Sequence, residues 1–458
     1  MLKSFAPFSP AIAVLVCALS VFLGCDLNRE SGTDSAKTSA PTTSNVPLRL
    51  WIVGQVRDAS LVERAWLTGS DQKLEIRTLS VDEFLAEKAS NCDVAIYPSR
   101  LLGELIDRKW LTKLPPTLTA PNEDAPQVPT AWSRQATYGG DVWAVPLGAT
   151  VPLTIVNPPA IEAASQAVDW NSLLKSLAPE PATPATPADS KSNPKPTSKI
   201  DAEAVDRAAL VDRLFAIAGG LSDRTPDYGL LFELQSMRPR LTEPEFVRAA
   251  EILVALAQQK SSTDISALQA MTGDFSQAWS WLHSQSTPAI AIVSPSLLSA
   301  AAFKQTGGKA LRIPTKWSGW NTGGGPIASL SRNCRQSARA TELLMWFRQS
   351  DSRQVLSAII SGVESASPLA GSDSSSWQAS SLATELSSGA RIPNELRLPR
   401  AEEYRTELSS SLIEILSGEK SVDDALGEAT AAWQKITESR GRMLQRSEYE
   451  QSLGLVRD

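Results

Sequence analysis

The sequence predicts an α/β protein organised as about two large domains, and three observations carry that expectation. The chain has 458 residues, more than a single hydrophobic core usually supports. From Pro47 onward, short apolar runs alternate with segments of helical periodicity, the pattern of parallel strands joined by crossover helices. Hydrophobic residues make up 42% and charged residues 21% of the chain, proportions that suit a packed core.

At the amino terminus Lys3 precedes an apolar run from Ala11 to Leu23, followed by Gly24 and Cys25. That run is short for a membrane span and suits a signal-peptide core, so residues 1–24 read as a signal peptide and the protein as exported. Gly24-Cys25 resembles the lipobox of bacterial lipoproteins, with Phe22 where that family usually has Leu and Leu23 where it prefers a small residue. The resemblance implies lipidation of Cys25 and a membrane-anchored location in the bacterial envelope; an ordinary secretory cleavage is the alternative. Residues 25–46 are polar and rich in Ser and Thr, without apolar periodicity, and read as a disordered tether. With Cys17 in the signal and Cys25 at the cleavage point, Cys92 and Cys334 remain in the body, and the sequence leaves their pairing open.

The elements follow in order. "LRLWIVG" (48–54), "KLEIRTL" (73–79) and "DVAIYPS" (93–99) read as strands, each followed by a helical pattern. Ligands bind outside the carboxyl ends of such strands, which directs attention to Gly54, Gln55, Tyr97, Ser99 and Arg100. In "YGGDVWAVPLGATVPLTIVN" (138–157) two apolar stretches are separated by Pro146, Gly148 and Pro152, an interruption that one continuous strand would not carry. A helical stretch at 160–177 leads to a Pro, Ala, Ser and Lys insertion at 179–199 that cannot bury a core. In the helix over 241–259, Thr242 and Glu245 have capping-box spacing, and Phe246, Ala250, Leu253 and Ala257 share a face. "PAIAIVS" (288–294) reads as a buried strand, and the glycine-rich "WSGWNTGGGP" (317–326) follows. The tail from Ala401 reads as a helical hairpin broken at Gly418, its second helix capped by Ser421 with Asp424.

Several function classes drop out. A net charge of −6 lacks the basic footprint of a nucleic-acid surface. The only histidine is His283, so no HExxH metal site exists and no nucleophile elbow accompanies it; it reads as structural. "NTGGGP" leads to proline instead of the lysine and hydroxyl of a phosphate loop. A pair of carboxylates acting on glycosides leaves no local signature and stays open.

The body resembles the extracellular solute-binding proteins of ABC importers, which include sugar-binding lipoproteins. The stretches that carry the likeness are "YGGDVWAVPLGATVPLTIVN", "DVAIYPSRLLGELIDRKWLTKL" and "SGEKSVDDALGEATAAWQKI", in that order along the chain. The resemblance implies a type II periplasmic-binding-protein-like fold of two α/β lobes joined by crossing strands, with no enzymatic activity and no cofactor or metal. It places 47–148 plus 290–327 in lobe I and 149–289 plus 328–458 in lobe II, with Gly148 and Pro152 at the first hinge. The chain would return to lobe I near 286–292 and leave it near 325–331. The implied function is a lipid-anchored, monomeric receptor that closes on a small solute, carbohydrate among the candidates, and presents it to permease subunits. A binding lipoprotein of the same fold used in sensing or envelope assembly, and an envelope carbohydrate enzyme, are the competing readings. The cleft residues implied are Gln55, Tyr97, Arg100, Ser294, Ser296, Trp317, Trp320 and Asn321. For both tryptophans, packing in a lobe core and stacking on a ligand are equally open roles.

Overall fold

Leu48–Val53 forms strand β1, flanked by β2 (Leu74–Leu79) and β3 (Val94–Pro98), both parallel to it. The computed structural model describes residues 46–54, 56, 58–119, 130–148, 153–167, 169–177, 205–222, 229–259, 266–272, 275–293, 309–312, 324–360 and 395–455. Helices α1 (Ser60–Leu67), α2 (Val81–Ala86) and α3 (Leu102–Asp107) follow these strands, and two short helices come next, α4 (Pro116–Thr119) and α5 (Thr130–Gln135). A small ribbon, β4 (Thr137–Tyr138) with β5 (Asp141–Val142), leads to β6 (Val145–Pro146) and then β7 (Leu153–Val156). Helices α6 (Ile161–Gln166), α7 (Trp170–Leu177), α8 (Arg207–Leu221), α9 (Pro244–Ala257), α10 (Ala267–Thr272) and α11 (Phe275–Ser284) precede β8 (Ile290–Val293), β9 (Lys309–Arg312) and β10 (Pro326–Leu330). The chain continues through α12 (Ser337–Trp346), α13 (Ser350–Ile359), α14 (Ala401–Ser417), α15 (Val422–Arg440) and α16 (Arg442–Ser452).

Two sheets divide the body. The first runs β2-β1-β3-β10-β6, with β10 antiparallel to both of its neighbours; the second runs β8-β7-β9, all antiparallel. Because the first sheet is covered on both faces, its inner strands β1, β3 and β10 are mainly apolar, while the edge strand β2 exposes Glu75, Arg77 and Thr78. Leu48, Leu50, Ile52, Val94, Ile96 and Ala328 pack on one face against Val62, Leu343, Phe347 and Leu356. Trp51, Val53, Ala95, Tyr97 and Ile327 pack on the other against Phe84, Leu102 and Leu105. A separate core holds Ile155, Ile290 and Ile292 of the second sheet together with α8, α9, α14 and α15, including the Phe232, Tyr404 and Trp433 ring cluster. These cores define lobe I and lobe II.

The lobe boundaries expected from the sequence need correction. Residues 290–293 and 309–312 pair with β7 and belong to lobe II, while 326–360 belong to lobe I through β10, α12 and α13. Lobe II resumes at Leu396. An all-apolar strand such as "IAIV" fits the centre of either sheet, so local pattern does not say which one it joins. The cap expected on α9 also differs: Glu243 is the N-cap residue and makes no side-chain cap bond. Glu245 instead takes a bond of 3.1 Å from Arg240. Ser421 caps α15 as expected, accepting from Asp424 N at 3.2 Å, and Gly418 ends α14 at φ +72°. The hairpin is extended by α16, which the sequence reading did not separate. The insertion at 179–199 lies outside the described residues.

At the amino ends of the parallel strands Asp93 is the fixed point. Its buried carboxylate accepts from Arg49 N at 2.9 Å and Arg335 N at 2.8 Å, and pairs with the Arg49 guanidinium at 3.2 Å. Burial alone would raise this carboxyl, but the bonds from Arg49 and from the Arg335 amide hold it below its ordinary 3.8. Replacement Asp93→Asn should therefore cost about 2–3 kcal/mol at neutral pH, the range for a charge-assisted buried bond. A depressed carboxyl contributes its full stabilisation above the unfolded value of 3.8 and loses it as pH falls through the folded one. The stabilities of the two proteins from denaturant melts should thus begin to converge as pH falls below about 4, and a difference that persists unchanged into strong acid would contradict the assignment.

Candidate functional site

The chain changes lobe at one edge of the first sheet. Pro98 at the carboxyl end of β3 is paired with Pro326, the first residue of β10, and Ile327 is paired with Pro146, the last residue of β6. On the second sheet Leu153, the first residue of β7, lies opposite Val293 and Arg312, the last residues of β8 and β9. Two passages thus join these edges, one after β6 and one before β10. A third lies between Ile360 of the lobe I core and Leu396 of the lobe II core.

One run of hydrogen bonds ties the three passages together. The Gln135 side chain, at the end of α5, donates from Nε2 to the Gly148 carbonyl and accepts from Gly325 N at 2.9 Å. Gly325 N also reaches Ser99 Oγ at 3.1 Å, and its carbonyl accepts from Ser99 N at 2.9 Å. Ser99 Oγ donates in turn to Glu395 Oε2 at 2.6 Å. Ser99 and Gln135 are buried, so each bond replaces water that cannot enter.

The described end of the third passage is built on alternation. In "ELRL" (395–398), Leu396 and Leu398 enter the lobe II core, while Glu395 and Arg397 reach across to lobe I. The buried Arg397 donates from Nη1 to the carbonyls of Arg134, Gln135 and Thr137 at 2.9, 3.0 and 3.1 Å, and from Nη2 to the Ser452 carbonyl. A cation at the carboxyl end of α5 satisfies carbonyls the helix leaves open and complements its dipole. The approach is close on two sides. A Cβ on Gly324 would fall 1.9–2.1 Å from the Glu395 carboxylate, and one on Gly103 of α3 would fall 2.2 Å from the Arg397 carbonyl oxygen. Burial pushes the Glu395 carboxyl up, against the opposing influence of the Ser99 bond, Arg397 and Arg100. Arg100 beside it is paired with Glu402 at 2.6 Å.

Of the residues singled out in the sequence, Ser99 and Gly148 lie in this network, and Arg100 borders it with its side chain 15% exposed. Tyr97 does not line the edge: strand alternation turns its ring into the lobe I core, fully buried, with its hydroxyl 2.6 Å from Ser329 Oγ. Ser294 and Ser296 follow β8, and Trp317, Trp320 and Asn321 lie between β9 and β10, but like Gln55, Pro152 and Cys25 they are outside the described residues. Gln135 and Glu395 were not anticipated; the polar and apolar alternation of "ELRL" is the one signal that pointed to the latter. His283 stacks on Trp279 at 5.6 Å on α11, a structural role. Cys92 and Cys334 are both free, and burial raises the Cys92 thiol to about 11. Among the described residues there is no group of three metal-binding side chains, and no helix is long and apolar enough to cross a membrane. A cavity of about 910 Å³ lies elsewhere, by the amino ends of the parallel strands, lined by Trp66, Asp71, Arg339 and Trp346.

No protein-family model and no curated protein matches the chain. Its fold matches solved solute-binding proteins. An ABC transporter solute-binding protein of Thermotoga lettingae TMO, bound with α-D-tagatose, has a TM-score of 0.58 at 16% identity, covering 85% of this chain and 99% of that one. The sugar-binding protein MalE of Xanthomonas citri gives 0.60 at 13% identity, covering 87% and 99%. An ABC transporter solute-binding protein of Agrobacterium vitis S4, with bound D-mannitol, gives 0.56 at 13% identity, covering 86% and 99%. The chain therefore has the two-lobed α/β fold of type II periplasmic binding proteins, as the sequence resemblance implied.

The contact between α3 and the third passage gives a direct test. Gly103→Ala would ordinarily favour a helix by about 1 kcal/mol. Here the added methyl meets a backbone oxygen, so the variant should instead lose about 1–3 kcal/mol. A chemical-denaturation midpoint equal to or above wild type would show that α3 does not seat against Arg397.

Proposed function

We propose that the protein is an extracytoplasmic receptor that closes its two lobes on a carbohydrate and presents it to an ABC permease. The observation that carries this reading is the convergence of the passages on one sheet edge, which leaves the carboxyl ends of β3, β6, β8 and β9 at the junction of the lobes. Ligands of open α/β sheets bind at such ends. The fold neighbours support the ligand class: two are bound to tagatose and mannitol, and a cyclo/maltodextrin-binding protein with a TM-score of 0.52 at 14% identity is complexed with maltotetraose.

In this reading the solute contacts both lobes and shifts the population toward a closed form that a permease recognises. Trp317 and Trp320 stack on the apolar face of a sugar ring, while Gln55, Arg100, Ser294, Ser296 and Asn321 bond its hydroxyls. Tyr97 supports the site from the core behind Ser99. Gly148 and Pro152 bend in the first passage. No covalent step is required, and the receptor needs neither cofactor nor metal. Lipidation of Cys25 and the polar tether of 25–46 hold the body at the envelope membrane.

A thermal-shift screen against D-tagatose, D-mannitol, maltotetraose, amino acids and short peptides tests the ligand class. A sugar present at a hundred times its dissociation constant should add about 2.7 kcal/mol to stability. Trp320→Ala should then weaken binding of that sugar by about 1–3 kcal/mol while unfolding stays cooperative. Stabilisation by amino acids or peptides alone would reject the carbohydrate assignment. For the anchor, Cys25→Ser should release the body from the membrane fraction; full-length protein that stays membrane-bound would reject lipidation as the attachment.

A further inference from the structure

We propose that Ser99, Gln135 and Glu395 are positioning residues that couple the three inter-lobe passages, so that the passages bend as one unit and set the apparent affinity for solute. The affinity half of the proposal rests on the solute-binding reading above; the coupling half does not.

The geometry leaves each group little freedom. Ser99 has one hydroxyl proton, and it goes to Glu395, so the same oxygen is an acceptor for Gly325 N at 3.1 Å. Gln135 divides its amide between two passages, carbonyl toward Gly325 and NH₂ toward Gly148. Gly325 is thereby bonded to both side chains, and the route Gly148, Gln135, Gly325, Ser99, Glu395 touches all three passages. None of these bonds reaches water easily, because Ser99 is 0% and Gln135 1% exposed. Arg397 fixes the backbone from which Gln135 projects through three carbonyl bonds. Gly324 admits the Glu395 carboxylate where any side chain would collide with it.

A rotation of one passage therefore strains the bonds of the other two. If a lone passage loosened, Gly325 N or the Gln135 amide would lose a partner in a dry site, which penalises independent movement. Ligand closure must order whatever is left mobile, so uncoupled passages weaken apparent affinity even where no ligand contact is touched.

Hydrogen exchange on the full chain, with no ligand added, tests the coupling. In the wild type the amides of Val145 and Leu147 in one stretch, and of Gly325 and Ile327 in the other, should exchange slowly. In Ser99→Ala, which changes little volume, and in Gln135→Ala, both stretches should speed up together by about tenfold or more, while β1 and β7 keep their protection. Glu395→Ala should do the same at Leu147, whose amide bonds the Pro326 carbonyl, and Glu395→Gln, whose amide oxygen still accepts from Ser99, should restore wild-type exchange. Acceleration confined to the stretch beside each replaced residue would overturn the coupling. With maltotetraose and D-mannitol as probes, Ser99→Ala should weaken the apparent affinity of the one that binds by about three- to tenfold, and Glu395→Gln should not. Unchanged affinity in Ser99→Ala would overturn the affinity half. If no sugar of the thermal-shift panel binds the wild type, the carbohydrate reading fails, and the exchange result alone decides the coupling.

Discussion

The Gln135 amide, buried and shared between Gly148 and Gly325, sets conditions that the surrounding structure has to meet. Left without a partner, each of its polar atoms would cost about 1–3 kcal/mol. Helix α5 must therefore end where the amide reaches both passages, and Arg397 holds that end by its carbonyls. Arg397 in turn comes from the third passage, whose leucines are anchored in the other lobe. Glycine at 103 follows from the close approach of the Arg397 backbone, and glycine at 324 from the seat of the Glu395 carboxylate. The carboxyl-terminal helix α16 adds a brace, because Tyr449 packs in the lobe II core while the carbonyls of Glu448 and Gln451 accept from Tyr138 and Gly139 of lobe I.

The two ends of the first sheet divide the labour. At the amino ends, Asp93 binds strand starts and the turn after β10 with charge-assisted bonds that do not cross a passage. At the carboxyl ends, neutral amide and hydroxyl groups span the passages, with Glu395 as the one carboxylate in the run. Bonds between neutral groups are weaker and exchange partners more readily than ion pairs, which suits the closure proposed for this edge. A rigid base and a compliant edge are what a lobe needs if it is to turn as a body about its connections.

Much of lobe I was legible in the sequence because its signals are local. The runs 48–54, 73–79 and 93–99 are strands within a residue, and Gly418 and Ser421 end and start helices as their chemistry requires. What the sequence did not give was long-range pairing. "IAIV" at 290–293 carries no mark of its partner β7, and "IASL" at 327–330 joins the lobe I sheet antiparallel between β3 and β6. Tyr97 was placed near the ligand edge by its position, but the period of two in β3 sends its ring to the core. Gln135 lies in a stretch with no periodic signal and Glu395 only at the start of the short alternation "ELRL", and they matter because the fold brings together residues 190 and 296 positions apart in sequence.

The central claim is that these lobes form a clamp that closes on a small solute. Small-angle X-ray scattering of the protein with and without a stabilising sugar measures that most directly. The account predicts a smaller radius of gyration in the bound state, reversed when the sugar is dialysed away. A confirmed sugar complex with an unchanged scattering profile would contradict it, and would make the edge between β3, β6 and β10 a rigid seam instead of a hinge.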